Sequence, residues 1–180
     1  FSARTMDRNP DWKNDFTLFQ HDIKISKNSA KGNVTAGGSL IDRADKIEND
    51  SIKRIMYEQA IGHLEHSIEI HPIYVDALLL LGNAWFKMEK NYDKTMEYYL
   101  RILDRNPDNK NVQKNLQVIL NGNRDWDLEI GIWQSVLDKN PKNPENRYRI
   151  SHRLGSLYAQ IRKDYVKATE CFEIAKKANP

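Results

Sequence analysis

One stretch of the chain, from Pro72 to Pro107, decides the fold, and it consists of PIYVDALLLLGNAWFKMEKNYDKTMEYYLRILDRNP. Its apolar residues recur every three or four positions in two blocks, which a turn signal at residues 89–91 separates. The first block contains Leu78, Leu81, Trp85 and Met88, and the second contains Tyr92, Met96, Tyr99 and Leu103. Such spacing places apolar side chains on one face of a helix. The stretch therefore predicts two amphipathic helices joined by a short turn.

Small and large residues alternate in this stretch in a way that favours close packing of the two helices. Gly82 has no side chain and the Thr95 side chain is small, so the helix axes can approach each other there. Pro107 ends the second helix because it lacks an N–H donor and has a fixed φ. The large side chains expected to fill the space between the helices are Leu81, Trp85 and Tyr99.

These positions resemble the signature of the tetratricopeptide repeat, a helix-turn-helix unit of about 34 residues. The matching motifs are Leu78-x-x-Leu81-Gly82-x-x-Trp85, Thr95-x-x-x-Tyr99 and Pro107. Thr95 stands where the family usually has Ala, and the turn is one residue longer than usual. The resemblance implies an all-α, right-handed superhelical solenoid that binds a protein or peptide ligand in a concave groove.

The same pattern recurs along the chain and predicts a single domain over residues 1–180, with a half repeat, four repeats and about nine helices. The predicted units are a lone second helix at 9–28, repeat 1 at 29–72, repeat 2 at 73–107, repeat 3 at 108–141 and repeat 4 at 142–180. Repeat 1 is predicted to contain an insertion. Repeat 1 contains about ten residues more than the family period allows, around residues 41–56. Asn49-Asp50-Ser51 is predicted to cap a long helix that ends at Ile70.

Repeats 3 and 4 depart from the signature at particular positions. In repeat 3, Gln117 replaces the small Gly and Glu129 replaces the small Ala. Repeat 4 is predicted to begin at Asn143-Pro144-Glu145, and it carries one extra residue in its turn near Lys163. Its matching motifs are Leu154-Gly155-x-x-Tyr158 and Ala168-x-x-x-Phe172, and in repeat 1 Gly37-Gly38 is predicted at the close-packing position. All four tryptophans fall at core positions of the repeats, and we interpret Trp12, Trp85, Trp126 and Trp133 as packing residues.

Composition excludes several classes of function. The 28 basic and 25 acidic residues give a net charge of only +3, so no nucleic-acid partner is expected. The single cysteine, Cys171, excludes an internal disulfide. No apolar run approaches the roughly 20 residues that span a bilayer, so we do not expect direct membrane insertion. The sequence begins at Phe1 in the middle of a repeat pattern, and we interpret it as a fragment of a longer protein.

Candidate reactive residues do not form a catalytic constellation, so we predict that this fragment is not an enzyme and has no cofactor. His63 and His66 are three residues apart, with His71 nearby, and this spacing can present two imidazoles to one metal ion. The repeat register places His63 and His66 on the outer face without a third ligand. We therefore predict no metal site.

The repeat register predicts a partner-binding groove, because the first helices of successive repeats line one concave face. The predicted groove residues are Asp76, Leu79, Asn83, Phe86 and Lys87 in repeat 2, Lys114, Asn115, Val118 and Asn121 in repeat 3, and Arg149, His152, Arg153 and Ser156 in repeat 4. This face is mixed apolar and polar with a basic end. Its amide and guanidinium donors could bind a peptide carboxylate.

Two alternatives follow from the family resemblance and the end of the array. Some tetratricopeptide proteins clamp the acidic C-termini of chaperones, and Asn83, Asn115, Arg149 and Arg153 match four of the five clamp positions. Leu79 stands where the first Lys of that clamp is expected. This alternative implies a freestanding cytoplasmic adaptor. In the other alternative, the C-terminal face docks on a second copy and forms a homo-oligomer.

The first thirty residues are similar to a narrower group. Arg4-Thr5-x-x-Arg8-Asn9-x-Asp11-Trp12, Leu18-Phe19 and Asn28-Ser29-Ala30-Lys31 resemble the junction between the membrane part and the repeats in glycosyltransferase-like membrane proteins that contain tetratricopeptide repeats. The resemblance implies an extracytoplasmic, periplasmic arm that binds an acceptor protein. It also implies that the catalytic residues belong to the membrane part of the parent protein.

Overall fold

The computed structural model describes residues 15–106, 108–121, 126–139 and 141–178. These residues form nine α-helices and one π-helical turn, without a strand among them. The helices are α1 (Asp15–Ile25), α2 (Ala30–Ala44), α3 (Asp50–Ile70), α4 (Val75–Glu89), α5 (Tyr92–Leu103), α6 (Lys110–Asn121), α7 (Trp126–Asp138), α8 (Pro144–Leu157) and α9 (Tyr165–Ala178). The predicted all-α class and number of helices are confirmed. Trp12 lies outside the described residues, as do Arg4 to Asp11 of the junction motif.

The chain divides into two compact units, one ending at Asn91 and the other beginning at Tyr92. The first unit contains α1 to α4, and the second contains α5 to α9. The division falls in the turn of predicted repeat 2. The repeat boundaries themselves stay a prediction.

In the first unit, α2 and α3 pack against each other, and the contact is tight at Gly37. A Cβ atom added to Gly37 would lie 2.7 Å from Leu64 Cγ and 3.1 Å from the backbone oxygen of Ala60. At Gly38 the nearest atom, Leu80 Cδ1, would be at an ordinary 3.5 Å. The predicted close-packing requirement is therefore confirmed at Gly37 and is not shared by Gly38.

Side-chain caps fix where several helices begin. Asn49 accepts a hydrogen bond from Ile52 N at 3.0 Å and starts the 21-residue helix α3. Asn143 accepts one from Asn146 N at 3.2 Å and starts α8. Each cap satisfies a backbone donor that has no partner within its helix. The predicted helix starts at Asn49 and Asn143 are confirmed.

In the second unit, α8 and α9 pack as the repeat motif predicts. A Cβ atom added to Gly155 would lie 2.8 Å from the ring of Phe172, so the glycine allows close contact. The apolar core here contains Ile130, Leu154, Leu157, Tyr158, Ala168 and Cys171, with Trp133 packed against it. Burial of these side chains supplies the main stabilisation of the α8–α9 pair.

The extra residue in the last predicted turn is accommodated without breaking the helix pair. Residues Tyr158–Arg162 form a π-helical turn, and Lys163 follows in the left-handed region with φ 57°. A π-helical turn adds a residue within a helix, which matches the extra residue that the sequence predicts here. Lys90 ends α4 in the same conformation, with φ 55°.

One interpretation of the tryptophans is wrong. Trp85 and Trp133 are half-buried, but Trp126 is 44% exposed and is not a core residue. It is the first residue of α7. Helical side chains lean toward the N-terminus, so a side chain at the first position leans away from the packed turns of its own helix.

Candidate functional site

The predicted groove residues of α4 differ in exposure. Asp76 and Lys87 are exposed, whereas Leu79, Asn83 and Phe86 are half-buried. Lys90 Nζ lies 4.0 Å from the centre of the Phe86 ring, within the range of a cation–π contact. The middle of this face thus combines two apolar side chains with the amide of Asn83, and charged groups lie at both of its ends.

Lys87 belongs to a small polar network within the first unit. Its ammonium donates to Asp45, the residue after α2, and the Tyr57 hydroxyl donates to the same carboxylate. Burial opposes ionisation of Asp45, but the hydrogen bonds from Lys87 and Tyr57 lower its pKa. Burial, together with Asp45, raises the pKa of Tyr57. Lys87 therefore ties α4 to α2, and its charge is already compensated.

In the second unit, α6 carries the predicted groove residues of repeat 3. Asn115 Nδ2 donates to Tyr99 Oη at 3.2 Å, which links α6 to α5. Burial raises the pKa of Tyr99 to about 12, although the bond from Asn115 opposes the change. Lys114 is exposed, and Val118 is 62% exposed. The side chain of Asn121 lies outside the described residues.

The two arginines of the predicted basic end are both engaged within the second unit. Arg149 forms ion pairs with Glu145 at 2.7 Å and with Asp108 at 2.9 Å, and these bonds raise its pKa. Arg153 binds the buried carboxylate of Glu129 at 2.8 Å. A peptide carboxylate would have to compete with these partners. The basic end is therefore less available to an acidic ligand than its sequence indicates.

His152 and Ser156 complete the predicted face on α8. The His152 ring meets the Phe172 ring edge-on, with 5.5 Å between centres, and it lies beside Tyr148 at 5.8 Å. The Ser156 hydroxyl donates to the His152 backbone oxygen at 2.9 Å. This part of the face consists of rings in edge-on and tilted contact, and the Ser156 hydroxyl is used within the helix.

Sequence reasoning missed a cleft in the first unit, here called the basic cleft. It has a volume of about 520 Å³, and its lining includes Ile23, Lys24, Lys27, Gly62, His63 and His66. Residues of α1, of the turn after it, of α2 and of α3 contribute. The closely spaced His63 and His66 were a signal that this face of α3 has a special environment, but the contribution of α1 requires the tertiary structure.

His63 is half-buried in this cleft, so its predicted place on the outer face is only partly right. Its Nδ1 lies 3.1 Å from Asn33 Oδ1. The Asn33 amide nitrogen donates to the backbone oxygens of Lys27 and Ser29, which leaves Oδ1 as the acceptor. His63 Nδ1 therefore carries a proton. Burial and the nearby His66 lower the pKa of His63, so its neutral form is favoured.

Among the described residues, no three His, Cys, Asp or Glu side chains come together as a metal site. Among these residues, too, each helix is too short or too polar to cross a bilayer.

Solved structures with a similar fold include two of MamA. The chain is 14% identical to MamA protein, with a TM-score of 0.50, and the match covers 97% of this chain and 86% of that one. It is 17% identical to a double mutant of MamA RS-1, also with a TM-score of 0.50, covering 98% and 89%. YrrB, described as a TPR protein with an unusual peptide-binding site, gives a TM-score of 0.47 at 16% identity, covering 99% and 80%. At such identities the MamA matches concern the fold alone, and they agree with a helical-repeat fold.

Comparison with families of known proteins gives a more specific result. No curated protein matches the chain significantly. A family model described as plant specific mitochondrial import receptor subunit TOM20 matches residues 26–140, which is more than half of the chain. The matched region begins just after α1 and extends past the end of α7. The chain therefore belongs to the family of the plant specific mitochondrial import receptor subunit TOM20.

Proposed function

We propose that this chain is a protein-binding module whose ligand is a short segment of another protein. The observation that carries the proposal is the family match over residues 26–140, since the family is described as an import receptor subunit. The tetratricopeptide resemblance of the sequence supports the same conclusion.

The exposed face of α6 is the best position for such a ligand within the second unit. Val118 is 62% exposed there, one helical turn from the exposed Lys114. Asn115 is held in place by Tyr99, so its amide is fixed relative to Val118. An apolar contact beside a fixed amide and a cation suits a peptide with an apolar side chain and a neighbouring carboxylate.

The Val118→Asp variant tests this position. Peptides are first selected from a random library displayed on phage, and their affinities are then measured by fluorescence anisotropy. We expect Val118→Asp to weaken the selected peptide by at least about tenfold, because a buried carboxylate replaces the apolar contact.

Ile55→Asp is the matched control, because Ile55 is also apolar and 53% exposed but lies on α3 of the first unit. We expect it to leave the peptide affinity unchanged. If Val118→Asp and Ile55→Asp lost equal peptide affinity, the assignment of the binding site to the face of α6 would be wrong. Failure of the native chain to select any peptide would contradict the proposed function itself.

The finer proposal concerns the parent protein. We propose that this module is the extracytoplasmic arm of a glycosyltransferase-like membrane protein, and the support for it is the resemblance of residues 4–31 to that junction. The coding sequence before Phe1 tests it. Several apolar segments of about 20 residues are expected there. A start codon shortly before Phe1 would contradict the proposal and favour a cytoplasmic adaptor.

A further inference from the structure

The basic cleft of the first unit carries positive charge that is not compensated within the described chain. Lys24 and Lys27 line it, and among the described residues neither ammonium group has an ion-pair partner. His66 also lines the cleft and is paired with Glu69 at 2.8 Å. The described lining includes no Asp or Glu side chain. Ile25, which follows Lys24 in sequence, is 73% exposed.

The outer side of α9 has the opposite character, and we call it the acidic patch. Tyr165, Val166, Thr169, Glu170 and Glu173 surround a shallow depression of about 380 Å³. Among the described residues, Glu170 and Glu173 have no ion-pair partner. Tyr165 is 65% exposed and Val166 is 72% exposed. The patch therefore combines two carboxylates that lack an ion-pair partner in the described part of the chain with the exposed side chains of Tyr165 and Val166.

Both surfaces have apolar side chains beside their charged groups. Ile23 lines the cleft, and Val166 and Tyr165, which are among the three most exposed large hydrophobic residues of the described chain, line the patch. Clusters of this kind are costly to leave in water, and they mark interaction surfaces when polar residues surround them. One surface is positive and the other is negative, and the charged residues of each are three positions apart in sequence. Their charges and apolar contents are complementary.

We propose that the chain associates with a second copy of itself head to tail, so that the acidic patch of one copy docks in the basic cleft of the next. A cleft of about 520 Å³ has room for the Tyr165 side chain. Glu170 and Glu173 would then pair with Lys24 and Lys27. A symmetric contact between two α9 helices is disfavoured because it would bring four carboxylates together.

Such a contact joins two different surfaces, so it forms rings or chains of copies rather than a closed symmetric dimer. This inference goes beyond the proposed peptide binding, since it uses neither α6 nor Val118. A Val118→Asp variant is therefore expected to associate like the native chain. Failure of one proposal does not imply failure of the other.

Light scattering of the full 180-residue chain over a range of concentrations tests the inference. The native chain is expected to increase in mean mass with concentration. Lys24→Gln/Lys27→Gln removes the charge of the cleft, and Glu170→Gln/Glu173→Gln removes that of the patch. Each variant alone is expected to remain monomeric. An equimolar mixture of the two variants should form dimers that do not grow further. The intact patch of the lysine variant can dock in the intact cleft of the glutamate variant, and no other intact pair remains.

A control pair, Lys142→Gln/Arg147→Gln, removes two exposed cations that also lack ion pairs among the described residues. It is expected to associate like the native chain, and circular dichroism checks that each variant is folded. A native chain that stays monomeric at about 100 μM would overturn the proposal. An equimolar mixture that stays monomeric would also overturn it. A Lys24→Gln/Lys27→Gln variant that associates like the native chain would overturn it too, because that result is expected of a symmetric α9 contact.

Discussion

Arg153 on α8 donates from both Nε and Nη2 to one carboxylate oxygen, Oε1, of Glu129 on α7, each at 2.8 Å. Trp133 Nε1 adds a third bond to the same oxygen at 3.2 Å. Glu129 is only 6% exposed and occupies a repeat position where the family usually has Ala. A buried carboxylate is costly unless it is hydrogen-bonded and paired. The three donors therefore explain how this position tolerates a charge.

Removal of the Arg153 side chain should reveal the free-energy cost of burying the Glu129 carboxylate. We expect Arg153→Ala to lower the free energy of unfolding by about 1–3 kcal/mol, because it leaves Glu129 buried without a cation. Urea denaturation measures the change. The control is Arg147→Ala, an exposed arginine on the same helix, for which little change is expected.

The double variant Glu129→Ala/Arg153→Ala separates the cost of the unpaired carboxylate from the loss of the arginine side chain. It restores the residue usual for the repeat and removes the orphaned charge, so it should be more stable than Arg153→Ala alone. If Arg153→Ala were as stable as Arg147→Ala, the pair would have no structural role. Any loss of peptide binding in Arg153→Ala would then be due to lost ligand contacts.

Gly37 provides a second test of packing. Gly37→Ala places a Cβ atom 2.7 Å from Leu64 Cγ, so α2 and α3 must move apart. We expect a loss of about 1–3 kcal/mol in the free energy of unfolding. Gly131→Ala, where nothing lies within 4 Å, should instead gain up to about 1 kcal/mol from helix propensity. Thermal and urea unfolding distinguish these results, and a stabilised Gly37→Ala would show that the helices are not in close contact.

The turn before α9 predicts a stabilising substitution. Lys163 has φ 57°, a conformation that costs a residue with a Cβ atom about 1–2 kcal/mol. Lys163→Gly should therefore raise the free energy of unfolding by up to about 1 kcal/mol, since part of the gain is lost to chain entropy. Lys163→Ala keeps the Cβ atom and should show no such gain. Equal stabilities for the two variants would argue against the left-handed turn.

His63 predicts a pH dependence of stability. Its folded pKa is lowered from an ordinary value of 6.5, so the unfolded chain binds a proton more readily than the folded chain. The free energy of unfolding should therefore fall as pH decreases from about 6.5 through the folded pKa, and it should level off below that. The difference in the free energy of unfolding between the native chain and His63→Gln, measured across this pH range, isolates the contribution of His63. A pH-independent difference would show that His63 titrates alike in both states.

Local features of the sequence predicted much of the fold, because they depend on near neighbours. The helical period, the caps at Asn49 and Asn143, and the glycines Gly37 and Gly155 all follow from residues within a few turns of one another. Trp126 was misassigned because the repeat register does not show which way a first-turn side chain leans.

The candidate site was harder to predict because its polar groups pair over long sequence distances. Arg149 pairs with Asp108 and Lys87 pairs with Asp45, each about forty positions away. The basic cleft combines residues of α1, the turn after it, α2 and α3, and no single periodic segment contains all of them. Sequence spacing predicted a groove of mixed apolar and polar residues with a basic end, but the partners of these residues are a property of the tertiary structure.

A chemical-shift titration of the ¹⁵N-labelled chain with a selected peptide tests whether the chain binds a protein segment on α6. We expect the largest saturable shifts at the amides of Lys114, Asn115 and Val118. Shifts confined to the basic cleft or to α9, or no shifts at saturating peptide, would contradict it.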